Sequence, residues 1–382
     1  MASFIAQVLA QQPRHSKSPS PIMATEIPTC RWGIVSTGLI SSWFVEDLVL
    51  NRPDAKAKHI IQCIGSSSLE KGKDFAAKHC PSASPTIYAS YDQVYSDPDV
   101  DCVYIGTPHS FHKNNCLGAI AAGKNVLCEK SFTINAREAR EVLDAAKKKG
   151  VYVHEAMWLR HRPLVTELRK LLFQDQVIGD VFRMSSDFSL LVHIPSLPDT
   201  SRYKDPNLGA GTLLDTGIYP LTWAFLALDP NTPENSERPT VFATQSHLHG
   251  VEVTSSILIQ YQSTGRQGIV SSTTMSGGMG DVVCRIQGTE GYINVHGAAP
   301  SHPLSFTVYR RKENTKNDFE SKHYDYPRIG RGFFYEADNT ALDIAAGRKE
   351  NEIMPWKETI RVMEIMDEIR KQGGTKYPQD EV

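Results

Sequence analysis

Apolar and polar positions follow two rhythms along this chain, and the change between them falls near Met157. Before it, short apolar runs alternate with stretches whose apolar residues recur at helical spacing. The runs at 30–36, 59–65, 100–106, 125–128 and 151–154 read as buried strands. The stretches at 39–50, 69–79, 113–122 and 136–149 read as helices, the last two closed by Gly123 and Gly150. Strands separated by helices make a parallel sheet covered on both faces. Beyond a helix at 163–173, strands of period two crowd together at 181–188, 241–248, 254–261, 268–275, 282–287, 292–296 and 304–309. That pattern predicts a mostly antiparallel sheet with helices on one face. Helices at 333–346 and 356–371 close the chain. The expected fold is α/β: a tail over 1–28, a doubly wound parallel domain over 29–156, and an α+β domain over 157–382 whose last helix packs back on the first domain.

The length of 382 residues fits about two cores. The formal net charge is only −2, which argues against nucleic acid or an anionic membrane surface as a partner. No run of apolar residues is long enough to span a bilayer. The seven cysteines are odd in number and lack C-x-x-C spacing, so they read as reduced thiols in a cytoplasmic protein. Residues 1–28 are rich in Ser, Pro, Ala and Gln and have no acid before Glu26. They read as an unstructured tail, as a mitochondrial transit peptide carrying Arg14 and Lys17, or as a leader ahead of a true start at Met23.

Candidate chemistry begins at 33–41, where a strand, a tight turn at Gly38 and a helix follow in order. Such a turn sets helix amides and the positive dipole end against a pyrophosphate. The usual G-x-G-x-x-G is reduced here to S-T-G-x-x-S, leaving Gly38 as its one glycine. The second strand ends in Gly65-Ser66-Ser67-Ser68 with Lys71 beyond, and lacks the acid that would bond a ribose 2′-hydroxyl. Hydroxyls and an ammonium suit a 2′-phosphate, so the expected cofactor is NADP.

The segments Gly106-Thr107-Pro108-His109-Ser110-Phe111-His112 and Ala122-Gly123-Lys124-Asn125-Val126-Leu127-Cys128-Glu129-Lys130 together resemble the glucose-fructose oxidoreductase (Gfo/Idh/MocA) family. The resemblance continues through Glu155-Ala156-Met157-Trp158, through 209–219 (GAGTLLDTGIY) and into the final helix at P-W-K-E-T-I. It is strongest to the dimeric dihydrodiol dehydrogenases and NADP-dependent D-xylose 1-dehydrogenases. Ser131 stands where the family usually has proline.

The resemblance implies a Rossmann domain, a homodimer formed through the second sheet, and a small-molecule substrate. It implies cofactor contacts from Ser36, Thr37, Gly38, Leu39, Ile40, Ser66, Ser67, Lys71, Thr107, Pro108, His112, Glu129 and Lys130. It also makes Lys130 and Tyr219 the catalytic pair. Lys130 ends a strand at the carboxyl edge of the parallel sheet, where ligands bind. Glu129 would hold that lysine charged or bond the nicotinamide ribose. Tyr219 would act as general base or acid, and Lys130 would lower its pKa below the reference of about 10. Trp158, Arg160, Arg202 and Asp215 are expected around the substrate. The implied reaction oxidises a sugar or diol carbinol, D-xylose to D-xylono-1,5-lactone first and a trans-dihydrodiol second. The rivals are a biosynthetic reductase on a larger ketone and a non-catalytic NADP-binding sensor. His109 and His112 have metal-like spacing without acid or thiol partners, so no metal site is expected.

Overall fold

The computed structural model describes residues 27–381 except 279 and 327. The readings of the tail, the transit peptide and Met23 therefore lie outside the described residues, apart from Ile27 and Pro28. Six parallel strands form the first sheet: β1 (Thr29–Val35), β2 (Lys58–Gly65), β3 (Thr86–Tyr88), β4 (Cys102–Ile105), β5 (Asn125–Glu129) and β6 (Val153–Ala156), in the order β3-β2-β1-β4-β5-β6. Helices α1 (Leu39–Leu48), α2 (Leu69–His79), α3 (Tyr91–Ser96), α4 (His112–Ala121) and α5 (Ala136–Lys149) connect them. Local chemistry sets these elements. Ser68 and Asn135 accept backbone amides at the starts of α2 and α5, and Gly150 closes α5 in the left-handed region. The short β3 and α3 escaped the pattern reading. β6 begins two residues later than expected, because Val126 pairs with Val153 and not with Val151.

The second sheet has eight strands: β7 (Val181–Ser189), β8 (Thr240–Leu248), β9 (Val251–Gln260), β10 (Gln267–Thr273), β11 (Val282–Gly288), β12 (Gly291–Ala299), β13 (His302–Arg311) and β14 (Phe319–Asp325). Their order is β14-β13-β12-β11-β7-β10-β9-β8, antiparallel throughout except for the β7–β10 pair. The fold is thus α/β as expected, a parallel sheet followed by a mostly antiparallel one. β14 was not expected: it is an exposed, polar edge strand with no apolar alternation. Helix α6 (Pro163–Phe173) precedes this sheet, and α7 (Ile218–Leu228) packs on its inner face. Every residue of α7 is buried, so it shows no amphipathic period to read.

The last two helices, α8 (Phe334–Ala345) and α9 (Trp356–Gly373), lie against the first sheet's helices. Asp47 of α1 accepts the backbone amides of Arg331, Gly332 and Phe333 ahead of α8. Asp367 of α9 accepts the amide of Ala136 at the start of α5. All seven cysteines are buried free thiols. Among the described residues, no helix is long and apolar enough to cross a membrane.

Candidate active site

The carboxyl ends of β1, β2, β4 and β5 open on one groove. At the end of β1 the chain turns through Ser36-Thr37-Gly38 into α1. The left-handed residue is Ser36 (φ 89°), while Gly38 has an ordinary φ of −78°. The expected tight turn at Gly38 is therefore made two residues earlier, by a serine at the first fingerprint position. Ser41, at the third, is fully buried where a Cβ on Gly106 would come within 2.3 Å of its Oγ, so α1 presses closely on the end of β4. The start of α1 has no side-chain cap and no acid in its first turn. Its amides ahead of Ser42 lack helical partners, which is the arrangement that accepts a phosphate. Leu39 is 67% exposed over this opening and Ile40 is half-buried beside it.

Across the groove, Ser66 Oγ lies 3.4 Å from Thr37 Oγ1, and Lys71 Nζ lies 3.4 Å from the exposed Ser67. Thr107 and Pro108 follow β4, with Thr107 Oγ1 accepting from Asn115. His112 departs from expectation. It is fully buried, its ring nitrogens facing the carbonyls of Thr107 (2.8 Å) and Ser131 (3.0 Å). It braces the two loops and does not reach the groove. Burial pushes its imidazole down to about 4. These features suit a dinucleotide: an open helix start, an apolar residue over it, and hydroxyls with an ammonium where the second strand ends.

Where the groove meets the second sheet lies a cavity of about 200 Å³. Glu129, Lys130, Trp158, Arg202, Asp215 and Tyr219 all line it, with Thr107, Leu39 and Ile40 at the dinucleotide side. Asp215 and Tyr219 come from a π-helical turn at Leu213–Gly217 that runs into α7. Backbone spacing there depends on Gly211 (φ 147°), where a Cβ would meet the Tyr377 hydroxyl at 2.6 Å. Lys130 Nζ donates to the Asp215 carbonyl at 2.8 Å and lies 3.5 Å from its carboxylate. Arg202 Nη2 donates to the same carboxylate at 2.7 Å. Burial alone would raise the Asp215 carboxyl, but Lys130 and Arg202 outweigh it and hold it well below the usual range.

Tyr219 corrects a second expectation. Its hydroxyl accepts the Trp158 indole N–H at 2.6 Å, and Lys130 Nζ sits over the ring face, 5.3 Å from the centroid. Burial, then the neighbouring Glu129, pushes the phenol well above its ordinary value, against the Trp158 hydrogen bond. The free protein thus holds a neutral phenol, not a phenolate. Glu129 makes no hydrogen bond to the Lys130 ammonium either. It accepts from Tyr104 at 2.8 Å, and burial pushes its carboxyl up to about 7. Arg160 is misplaced by the sequence reading: it is buried against α9, its Nη2 2.5 Å from Glu358, and is not part of the cavity. The side chains that reading missed are aromatic walls, namely Trp43, Phe188, Tyr203 and Phe333, together with Leu190, Ser301 and His109. Their spacing resembles that of any core residue, so no local signal marked them.

Two family models match this chain. The oxidoreductase family with an NAD-binding Rossmann fold covers residues 30–157, and the Gfo/Idh/MocA C-terminal domain covers residues 165–294. The chain belongs to the Gfo/Idh/MocA oxidoreductase family. Among members of this family it is 36% identical over 376 residues to a D-xylose 1-dehydrogenase (NADP(+)) of Hypocrea jecorina, covering 92% of this chain and 94% of that one. It is 35% identical over 354 residues to a trans-1,2-dihydrobenzene-1,2-diol dehydrogenase of Xenopus laevis, covering 91% and 99%. In fold it is similar to a levoglucosan dehydrogenase solved with NADH and levoglucosan, with a TM-score of 0.76 at 19% identity, covering 91% of this chain and 97% of that one. Gfo/Idh/MocA membership agrees with the parallel sheet, the open α1 start and the cavity at the sheet's carboxyl edge.

Proposed function

We propose that this chain is an NADP-dependent dehydrogenase that oxidises a carbinol of a small sugar, D-xylose to D-xylono-1,5-lactone before a trans-dihydrodiol. The observation that carries this reading is the convergence of Lys130 and Tyr219 on one cavity at the carboxyl edge of the dinucleotide sheet. Aromatic walls with a charged floor suit a sugar, whose C–H faces stack while its hydroxyls bond. A volume of about 200 Å³ lies below the range that encloses drug-sized ligands, about 300–1,000 Å³. The relatives named as xylose and dihydrodiol dehydrogenases support the same substrate class.

In this reading Ser66, Ser67 and Lys71 hold the 2′-phosphate, the start of α1 holds the pyrophosphate, and Lys130 and Arg202 hydrogen-bond substrate oxygens. Asp215 keeps both cations in place. NADP bound there would supply the hydride acceptor. For oxidation Tyr219 must first release its own proton to solvent; the phenolate so formed, stabilised by the Trp158 N–H, then takes the substrate hydroxyl proton. In reverse, the neutral phenol already carries the proton that a carbonyl oxygen needs, and carbonyl reduction is the second reading. We place the domain boundary at 156/157. We also assign the outer face of the second sheet to a second copy of the chain, because Phe242, Leu258 and Ile269 stand side by side there and exposed. A screen of NADP reduction over aldoses, diols and inositols tests the function. Turnover best on pentoses and lost in Tyr219→Phe is the expected result, and no turnover on any of them contradicts it.

A further inference from the structure

Behind the Trp158 wall lies a second cavity of only about 20 Å³, lined by Arg162, His302, Arg328, Arg331 and Tyr335 among others. That volume admits one water-sized guest. Three arginines line this space. Arg331 is paired with Glu46 at 2.7 Å. Arg162 is buried and reaches only backbone: its Nη1 lies 3.4 Å from the Pro303 carbonyl, its Nη2 donates to the Arg331 carbonyl, and its Nε has no partner. Among the described residues, no carboxylate forms an ion pair with Arg162 or Arg328. Asp47 attracts Arg162 only through space, because its oxygens are engaged by the amides of residues 331–333. Glu336 is buried with neither oxygen bonded, so it makes no ion pair with Arg162, and burial pushes its carboxyl well above the usual range. Burial lowers Arg162 to about 10, which leaves it charged at neutral pH. Burial, then Arg162, Arg331 and Arg328, lowers His302 to about 4, which leaves it neutral and able to donate a hydrogen bond.

A buried cation without a countercharge is costly, and arginine does not escape by losing its proton at neutral pH. We propose that this cavity is a chloride site, in which one monatomic anion held by Arg162, Arg328 and His302 provides the missing countercharge. Its size excludes a tetrahedral oxyanion. The site adjoins the active cavity: the Arg162 guanidinium lies 4.8 Å over the Trp158 ring, whose N–H is bonded to Tyr219. A bound chloride would fix the 328–333 loop and Arg162 beneath that wall, whichever substrate the enzyme takes. The test uses the full chain exchanged into sodium gluconate, with thermal unfolding followed as chloride replaces gluconate at constant ionic strength. A saturating rise of about 2–4 °C is expected. It should be absent in Arg328→Gln, an exposed position that leaves the core intact. Crystals grown in sodium bromide should show an anomalous peak between Arg162 and His302. Equal melting in the two salts, a rise that never saturates, the same rise in Arg328→Gln, or an empty cavity in bromide overturns the proposal.

Discussion

Glu358 and Asp215 are both carboxylates held between two cations, and the difference between them separates scaffold from site. Glu358 is fully buried. It accepts from Arg160 (2.5 Å) and from Arg361 (2.7 and 2.8 Å), and takes further bonds from Thr232 and Ser236. The two arginines outweigh its burial and push its carboxyl down to about 2. Asp215 stands in a cavity wall. Its partner Arg202 has a side chain 43% exposed and gives one hydrogen bond to the protein, which leaves the rest of its guanidinium fork facing open space. One acid between two bases therefore makes both a closed cluster that holds α9 in place and an open one that can bind a ligand. What distinguishes the two is unused donors, not composition.

The comparison can be broken from either side. The largest effect belongs to the open cluster: Tyr219→Phe should cut turnover by about 10²–10⁴-fold with only a modest fall in melting temperature, from the Trp158 N–H left without its acceptor, as steady-state rates and thermal unfolding will show. In the closed cluster, Glu358→Gln leaves two buried cations unpaired. It should cost about 3–5 kcal/mol in denaturant unfolding while each folded molecule keeps its turnover. Arg202→Met should do the opposite, raising the substrate KM about 10-fold or more with little change in stability.

Two smaller effects sharpen the picture. Lys71→Ala should raise the KM for NADP about 3–10-fold and leave that for NAD unchanged, since an exposed pair is weak. Equal weakening of both cofactors would remove Lys71 from the 2′-phosphate. Glu129 gives a pH effect. Its folded pKa is about 7 against an ordinary 4.5, so the folded chain keeps a proton that the unfolded one releases. Its contribution to stability is full below 4.5 and is lost as pH rises to about 7. Glu129→Gln should flatten that part of the stability profile, leaving the similar slopes of Glu155 and Glu252.

Much of the fold was legible because its elements carry strong local signals. α2, α5 and α6 fall where spacing and caps put them, and the alternation of strands and helices fixed the parallel sheet. Elements with no contrast were lost: α7, apolar on every side, and β14, polar on nearly every side. The site was legible where motifs carry chemistry, so Lys130, Asp215, Trp158 and Tyr219 do meet in one cavity. Contacts distant in sequence were not legible. Glu358 lies 198 residues from Arg160, and nothing near Arg160 announces it. The environment of Tyr219 was misjudged for the same reason, because its burial and its Trp158 partner are products of tertiary packing.

The central claim is that Lys130 and Tyr219 act as one unit on a single substrate oxygen. A double-mutant cycle on kcat/KM for NADP-linked oxidation of the best substrate tests it most directly, with Lys130→Met, Tyr219→Phe and the pair. If both groups serve one proton transfer, the double mutant should fall within about threefold of the slower single mutant. Losses that multiply would contradict the account and assign the two residues to separate steps.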